Sequence, residues 1–553
     1  MSATLLVFLT LGAAEPSPIP TGMELLYGDR VPIRPDGEPS IAVGIMQGQK
    51  SITLTVGRSQ MDFFQDSVLR SATPRPGATL KFTLVRSKPA ERRHYVDVDG
   101  VAFNAPRALN AALKRWTARG YEVEVQEQGT GLGVGGRFID TRILRIVLPA
   151  KSRAAAQSLA QRVHEETGVR AMVSSRLETL PWAEFRVDID GAPVGIATSY
   201  TRIAALGSET LTVRQVGFGE NFSHSGREDR RYHGELYVVV DADGALAIVN
   251  VLGAEDLLKG VVPSELFASA HPSALRAQSV AARNQLFAKL GHRHHSEPFH
   301  LCDEQHCQVY TGVNREDPRT NAAIDATRGE LLFHRDTLVD TVYSSTCGGH
   351  TEDNDAVWGR SADPALRGRP DFHVHRHPEL ASYADGVSER EMPGWVAHAP
   401  VAYCSSASKA AKKKFRWTKR FSPAQLDALV AKRFPDVGHV RSVTIKGRGP
   451  GGRVKRLDIV GTRGRAHLLH ELPIRRLFAH LNSGAFVVER DAEGGFVFRG
   501  GGWGHGVGMC QLGAIGRAEE GHGYARILEH YYNGARTERV YGPQVSWSSP
   551  ESD

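Results

Sequence analysis

Two stretches in the first third of the chain share one grammar, and together they narrow the fold more than any other feature. The first is YVDVDGVAFNAPRALNAALKRWTARGYEVEV, from Tyr95 to Val125. An alternating strand opens at Tyr95, and Asn104 stands where a helix cap belongs. Leu109, Ala112, Leu113 and Trp116 follow at helical spacing, and Gly120 stops the helix before a strand from Tyr121. The second is RILRIVLPAKSRAAAQSLAQRVHEETGVRAMV. It has a strand from Ile143, Ser152 as cap, then Ala156, Leu159, Ala160 and Val163, with Gly168 as stop and a strand from Val169. Cap to stop is 16 residues in both, and the caps lie 48 residues apart. Two tandem βαβ-like units predict one sheet with both helices on one face, a ferredoxin-like arrangement.

The rest of the chain is too long to belong to one such unit. At 553 residues it predicts several domains, and 41% hydrophobic against 23% charged residues is a globular balance. A formal net charge of +7 suits an anionic partner or simple solubility. The opening MSATLLVFLTLGAAEPSPIP has an apolar run from Leu5 to Leu11, then Ala13 and Ala14 before a Pro/Ser stretch. It reads as a secretory signal and predicts an exported protein, in the periplasm or cell wall. The run is too short to span a bilayer, and no membrane span is expected elsewhere. Export permits disulfides, and five cysteines leave at least one unpaired or bound to metal.

The tandem repeat resembles the sporulation-related repeat (SPOR) domain, whose relatives bind peptidoglycan glycan strands stripped of peptides. Before it, SIAVGIMQGQKSITLTVG reads as two strands, and SKPAERRHY as a polar link. Inside it, GTGLGVGG (Gly129 to Gly136) reads as a flexible loop. It lacks the strand before and helix after that a nucleotide loop needs. After Pro181 the pattern is β-rich, with a hairpin turn at Asp243-Gly244. The divisions expected are a signal and linker over 1–20, a small β-rich segment over 21–90, the repeat module over 91–176 and a larger α+β domain over 180–545.

Within that larger domain stands KGVVPSELFASAHPSALRAQSVAARNQLFA, from Lys259 to Ala288. Gly260 reads as a helix stop and Pro272 as the first turn of a long helix, with Glu265 in the turn between them. Bulky apolar neighbours would bury Glu265 in part and raise its pKa, which suits a general acid. Alternatively Ser264 caps a short helix and Glu265 is held ionised at its positive end.

The stretch Asn250 to Ala288 resembles the SpoIID/LytB family of cell-wall enzymes. So do CDEQHCQVYTGV, VYSSTCGGHTEDNDAVWG and GGGWGHGVGMCQLGAIGRAEEGHGYARILEHYYNG, in the family's order. The resemblance implies a lytic transglycosylase that cleaves the MurNAc–GlcNAc bond of peptidoglycan. It makes Glu265 the catalytic acid and Arg283 its supporting cation. It places Gln278, His350, Trp503, His505 and Gln511 at the substrate. One acid suffices for this chemistry, because the sugar's own 6-hydroxyl attacks C1, whereas an ordinary glycosidase needs two carboxyl groups. Asp303, Glu352 and Asp353 lie in other motifs and are the acids that the fold could bring near.

GHRHHSEPFHLCDEQHC packs soft ligands suited to tetrahedral zinc. Cys302, His306 and Cys307 are the best three, with His295 or His300 as fourth, and some family members carry zinc here. A Cys302–Cys307 disulfide is the alternative. Cys347 and Cys510 stand where the family pattern often has serine, and the resemblance implies a disulfide between them that leaves Cys404 unpaired. In Gly500 to Gly508 no Lys-Ser/Thr follows, which excludes a P-loop. The basic run Ser408 to Arg420 reads as a solvated loop. The expectation is therefore an exported enzyme acting on glycan strands, with a structural zinc and no partner nucleic acid. The rival is a non-catalytic glycan binder that assists a cell-wall amidase.

Overall fold

The computed structural model describes residues 22–542, except 29, 136, 170, 219–224, 305–306, 360 and 407–413. The signal expected over 1–20 and the ligand expected at His306 lie outside the described residues. The molecule is α+β and multi-domain. None of its described helices is long and apolar enough to cross a membrane.

After a short helix α1 (Gly22–Tyr27) come β1 (Ser40–Gln49), β2 (Ser51–Val56), β3 (Ser59–Gln65), β4 (Val68–Ala72) and β5 (Thr79–Lys88). The repeat region follows as β6 (Arg92–Ala102), α2 (Pro106–Thr117), β7 (Glu124–Gln128), β8 (Gly131–Val134), β9 (Arg137–Asp140), β10 (Ile143–Ala150), α3 (Arg153–Thr167) and β11 (Met172–Leu177). Then come β12 (Trp182–Ile189), β13 (Ala192–Thr198), β14 (Tyr200–Ala205), β15 (Leu211–Phe218), β16 (Gly226–Tyr232), β17 (Glu235–Val240) and β18 (Leu246–Gly253). Helices α4 (Ala254–Glu265) and α5 (Pro272–Lys289) and the short strand β19 (Leu301–Cys302) complete the part that carries the site.

The repeat builds what its pattern requires. Its four strands are antiparallel in the order β11-β6-β10-β7, so each βαβ unit is split by a strand of the other. Both helices cover one face: Ala112 and Trp116 of α2 and Ala156 and Val163 of α3 share a core with Val96, Val98, Ile146 and Leu148. Ser152 caps α3 by accepting from the Ala155 N–H, and Gly168 ends it with φ 72°. Asn104 is not a cap. Helix α2 starts at Pro106 after Ala105 with no side-chain cap, because proline's fixed φ already suits the first turn. The stretch read as a flexible loop holds β8, which pairs with β9 and inserts Leu132, Val134 and Ile139 into the core of the main body.

Residues 21–90 are not a segment of their own. β1, β3 and β4 join β14, β17, β18 and β19 in one sheet, ordered β19-β1-β18-β17-β14-β3-β4. β2 and β5 join a second, ordered β13-β12-β5-β2-β15-β16. Alternation explains the division: Ile52, Leu54 and Val56 of β2 are buried while their neighbours are not, and they meet Ile41 and Val43 of β1 in one core. The repeat module sits between two paired strands. β5 and β12 are antiparallel partners, with Lys88 opposite Trp182. The module's ends are tied by the Glu178 N–H to Glu91 O bond of 2.8 Å.

β18 runs directly into α4, which does not stop at Gly260. The helix continues through Gly260 and Pro263 to Glu265. Glycine is needed there for space: a Cβ would lie 2.6 Å from the Tyr310 ring and 2.8 Å from Gly312 O. α5 begins at Pro272 as its pattern requires and buries Ala277, Val280, Ala281 and Asn284. Two further cores follow. One joins α5 to residues 323–404 and 507–535. The other gathers Trp417, Phe421, Leu457, Ile459, Phe486 and Phe498 into a separate lobe. The basic run is not all loop, since Arg416–Phe421 forms a strand against Phe496–Gly501.

Candidate functional site

Glu265 is the last residue of α4 and is half-buried. Ser264 caps nothing: its hydroxyl donates back to Gly260 O at 3.0 Å, inside the last turn. The carboxyl therefore stands at the negative end of the helix, the opposite of the capping alternative. Burial pushes its pKa up. Three groups pull the other way: the charge of Lys289, the Val309 N–H and the Tyr343 hydroxyl. Among the described residues no second carboxylate acts on it.

A polar cluster surrounds this acid. Gln511 Nε2 donates to the Glu265 carbonyl at 2.9 Å and to Gln278 Oε1 at 3.2 Å. Gln308 Nε2 donates to the Tyr343 hydroxyl at 3.2 Å. Lys289 Nζ donates to Gln285 Oε1 at 3.0 Å and also to Cys307 O. Gln278 and Gln511 are buried, so they hold the acid's platform in place and offer little surface to a ligand. Gln278 Nε2 is buried without a hydrogen-bond partner among the described residues.

The glycine-rich stretch closes the cluster from the other side. His505 Nε2 donates to Tyr343 O at 2.9 Å, and its Nδ1 accepts from the Val507 N–H at 3.1 Å. Both nitrogens are used, and burial lowers its pKa to about 3, so the ring is a neutral brace. Trp503 is 41% exposed and offers its ring at the surface, with Lys414 Nζ 5.6 Å from its centroid. The strand Tyr343–Ser344 pairs with Met509–Cys510, and Thr346 bridges Trp503, so these groups share one wall.

Other expected residues lie elsewhere. Arg283 is not beside Glu265. It is wholly buried and forms a two-pronged pair with Glu255 at the opposite end of α4, Nε–Oε1 2.8 Å and Nη2–Oε2 2.7 Å. Tyr541 OH and the Gly329 N–H also donate to that carboxylate. The cation whose charge bears on Glu265 is Lys289. His350 is 1% exposed and gives Nδ1 to Thr351 O at 2.7 Å, which withdraws it from any surface. Asp303 pairs with Arg230 at 3.0 Å, Glu352 accepts from the Arg453 and Asp353 N–H groups, and Asp353 pairs with Arg367. A cleft of about 690 Å³ lies away from the acid, between α3 and residues 433–476.

The histidine–cysteine stretch forms a group of three. His294, Cys302 and Cys307 bring their ligand atoms within 4.8 Å of one another, and His294 Nε2 lies 3.2 Å from Cys307 Sγ. His294 takes the place expected of His295, whose two ring nitrogens are buried without partners among the described residues. The structure forms no disulfide between Cys302 and Cys307 or between Cys347 and Cys510. Cys404, expected as the odd one, joins Cys347, Cys510 and Asp371 in a second buried group.

Sequence comparison bears on these parts separately. Residues 242–334, which hold α4, α5 and the His294 group, match the SpoIID family model, described as stage II sporulation protein. Residues 352–508 match a domain of unknown function, DUF8618. An uncharacterised protein of Brachyspira hyodysenteriae is 28% identical over 380 residues, covering 66% of this chain and 91% of that protein. The amidase enhancer of Bacillus subtilis is 25% identical over 411 residues, 70% of this chain and 56% of its own length. Stage II sporulation protein D of Bacillus subtilis is 27% identical over 296 residues, 51% of this chain and 73% of that protein. Residues 242–334, which carry Glu265, thus form a SpoIID family domain.

Proposed function

We propose that this protein is an exported peptidoglycan lytic transglycosylase, with Glu265 as its acid and then its base. The observation that carries the reading is a single half-buried carboxyl of raised pKa with no second carboxylate acting on it. The Glu265 proton passes to the bridging oxygen as the bond from MurNAc C1 to that oxygen breaks. The 6-hydroxyl of the same sugar then bonds to C1, and its proton returns to the Glu265 carboxylate. Both partners belong to one substrate, which removes an entropy cost. Tyr343 and Lys289 favour the carboxylate formed midway. Trp503 is the surface on which a sugar ring would stack.

The repeat module is proposed as the glycan-holding part, consistent with its split βαβ order. A structural zinc is proposed at Cys302, Cys307 and His294, with His306 as the remaining candidate. Two thiols and an imidazole fit zinc's preferred donors. It would tie down the loop that presents Val309 to Glu265.

A second reading has a specific motive, the likeness to the protein named amidase enhancer. In it the chain grips glycan and assists a cell-wall amidase without cutting. Product masses from purified denuded glycan, wild type beside Glu265→Gln, separate the two. The enzyme reading expects 1,6-anhydro ends from wild type and a loss of about 10²- to 10⁴-fold in the variant. Reducing ends would make it a hydrolase. Undigested strands that pellet with both proteins would leave the binder.

A further inference from the structure

We propose a second metal site, for zinc or a similar soft-liganded divalent cation, formed by Cys347, Cys404, Cys510 and Asp371. It lies apart from the His294 group and does not depend on the transglycosylase reading.

The four ligand atoms lie within 4.8 Å of one another, and all four residues are buried. Two of their separations match the edges of a tetrahedron. Metal–sulfur bonds of about 2.3 Å and a metal–oxygen bond of about 2.0 Å give edges of about 3.8 Å between sulfurs and about 3.5 Å from sulfur to oxygen. Cys347 Sγ is 3.7 Å from Cys404 Sγ and 3.5 Å from Asp371 Oδ2.

The surroundings suit bound thiolates. Cys510 Sγ accepts from the Cys347 N–H at 3.2 Å and from the Gly513 N–H at 3.3 Å, at the start of the helix Gln511–Glu519. Cys347 Sγ accepts from the Gly349 N–H at 3.4 Å. Asp371 is oriented through its other oxygen, Oδ1, by Arg517 Nε at 3.1 Å and Tyr531 OH at 2.9 Å, which leaves Oδ2 toward the sulfurs. Such outer partners fix ligand direction in metal sites.

Charge points the same way. Arg416 lies in the field of Cys404 and Cys347, and its hydrogen bonds go to the carbonyls of Gly348, Phe415 and Trp395. A divalent ion together with Arg416 and Arg517 balances three thiolates and one carboxylate. With protonated thiols, Arg416 is a cation that no carboxylate of the described residues offsets.

The site would join four segments separated in sequence. Two of them carry groups of the Glu265 cluster: Tyr343 lies on the strand Tyr343–Ser344 shortly before Cys347, and Gln511 follows Cys510 directly. Bound metal would therefore brace the platform of the acid.

The test uses the full chain, purified without chelator or reductant. In Cys302→Ser/Cys307→Ser protein, elemental analysis is expected to find one zinc per chain. Cobalt exchanged into it is expected to show the thiolate-to-metal charge-transfer band of a tetrahedral three-sulfur centre. Adding Cys404→Ser removes both signals. In the otherwise unmodified chain, Cys404→Ser lowers bound zinc by one equivalent, a measurement that stands if the double variant does not fold. A cooperatively melting double variant with no metal, unchanged zinc in the Cys404→Ser chain, or a disulfide between any two of Cys347, Cys404 and Cys510 in a non-reducing peptide map overturns the proposal.

Discussion

Glu265 sits between two opposing influences, and their balance sets its pH response. Burial favours the neutral acid, and Lys289 favours the anion. Because the net shift is upward, the acid form persists to higher pH than in an exposed carboxyl, and activity that needs it falls as pH climbs through that value. Lys289→Met removes the opposing charge. The falling limb of the rate profile on denuded glycan is expected to move to higher pH, while Lys289→Arg keeps it near wild type. An unmoved limb in the methionine variant would detach Lys289 from the acid. The same shift governs stability. A raised carboxyl contributes stability that is complete below its unfolded pKa and is lost as pH rises through the folded one. Glu265→Gln should flatten that part of the melting-temperature profile. The burial of Glu265 is legible in sequence, because an isolated carboxyl among apolar residues is a local signal. Lys289 and Tyr343 are not. They reach Glu265 only after α5 folds back on α4 and a later strand crosses beneath, and nothing in their own neighbours marks that approach.

Helix α4 bears a charge at each end, and the two do different work. At its start Glu255 is locked to Arg283 in a fully buried pair. At its finish Glu265 faces a polar cluster. The family resemblance set Arg283 beside Glu265, whereas the packing of α5 on α4 pairs it with Glu255 at the other end. Removing one partner of a buried pair leaves the other charge stranded. Arg283→Met is expected to cost about 3–5 kcal/mol in denaturant unfolding. Glu255→Gln in that background should recover part of the loss, since an amide oxygen still accepts from Tyr541 and Gly329. An Arg283→Met protein as stable as wild type, yet inactive, would instead restore a direct role at the substrate. Gly260 teaches the companion lesson. A glycine after an apolar helix reads as a stop, yet here it marks the close passage of the Tyr310 ring.

Across the whole molecule, the tandem repeat was readable because its own core is local: Trp116, Val163 and Val96 all fall within one module. The two large sheets were not, since β1 pairs with β18 and β5 with β12 across long separations. Likewise Cys404 joins Cys347 and Cys510 through the packing of distant segments, with no spacing to announce it. A module with its own core and adjoining ends is expected to be separable. Replacing residues 91–178 by a short turn should leave a chain that melts cooperatively, at a lower temperature because Leu132, Val134 and Ile139 no longer cover the main core. Calorimetry decides: a broad or absent transition would make the module part of the body's own folding unit. The placement of that module also has a consequence for how the chain emerges during synthesis. When β5 is made, its partner β12 does not yet exist, and a complete ferredoxin-like unit must leave the ribosome first. If that unit collapses on its own, it draws its two ends together and delivers β12 beside the waiting β5, so that a guest fold acts as the clasp that closes its host.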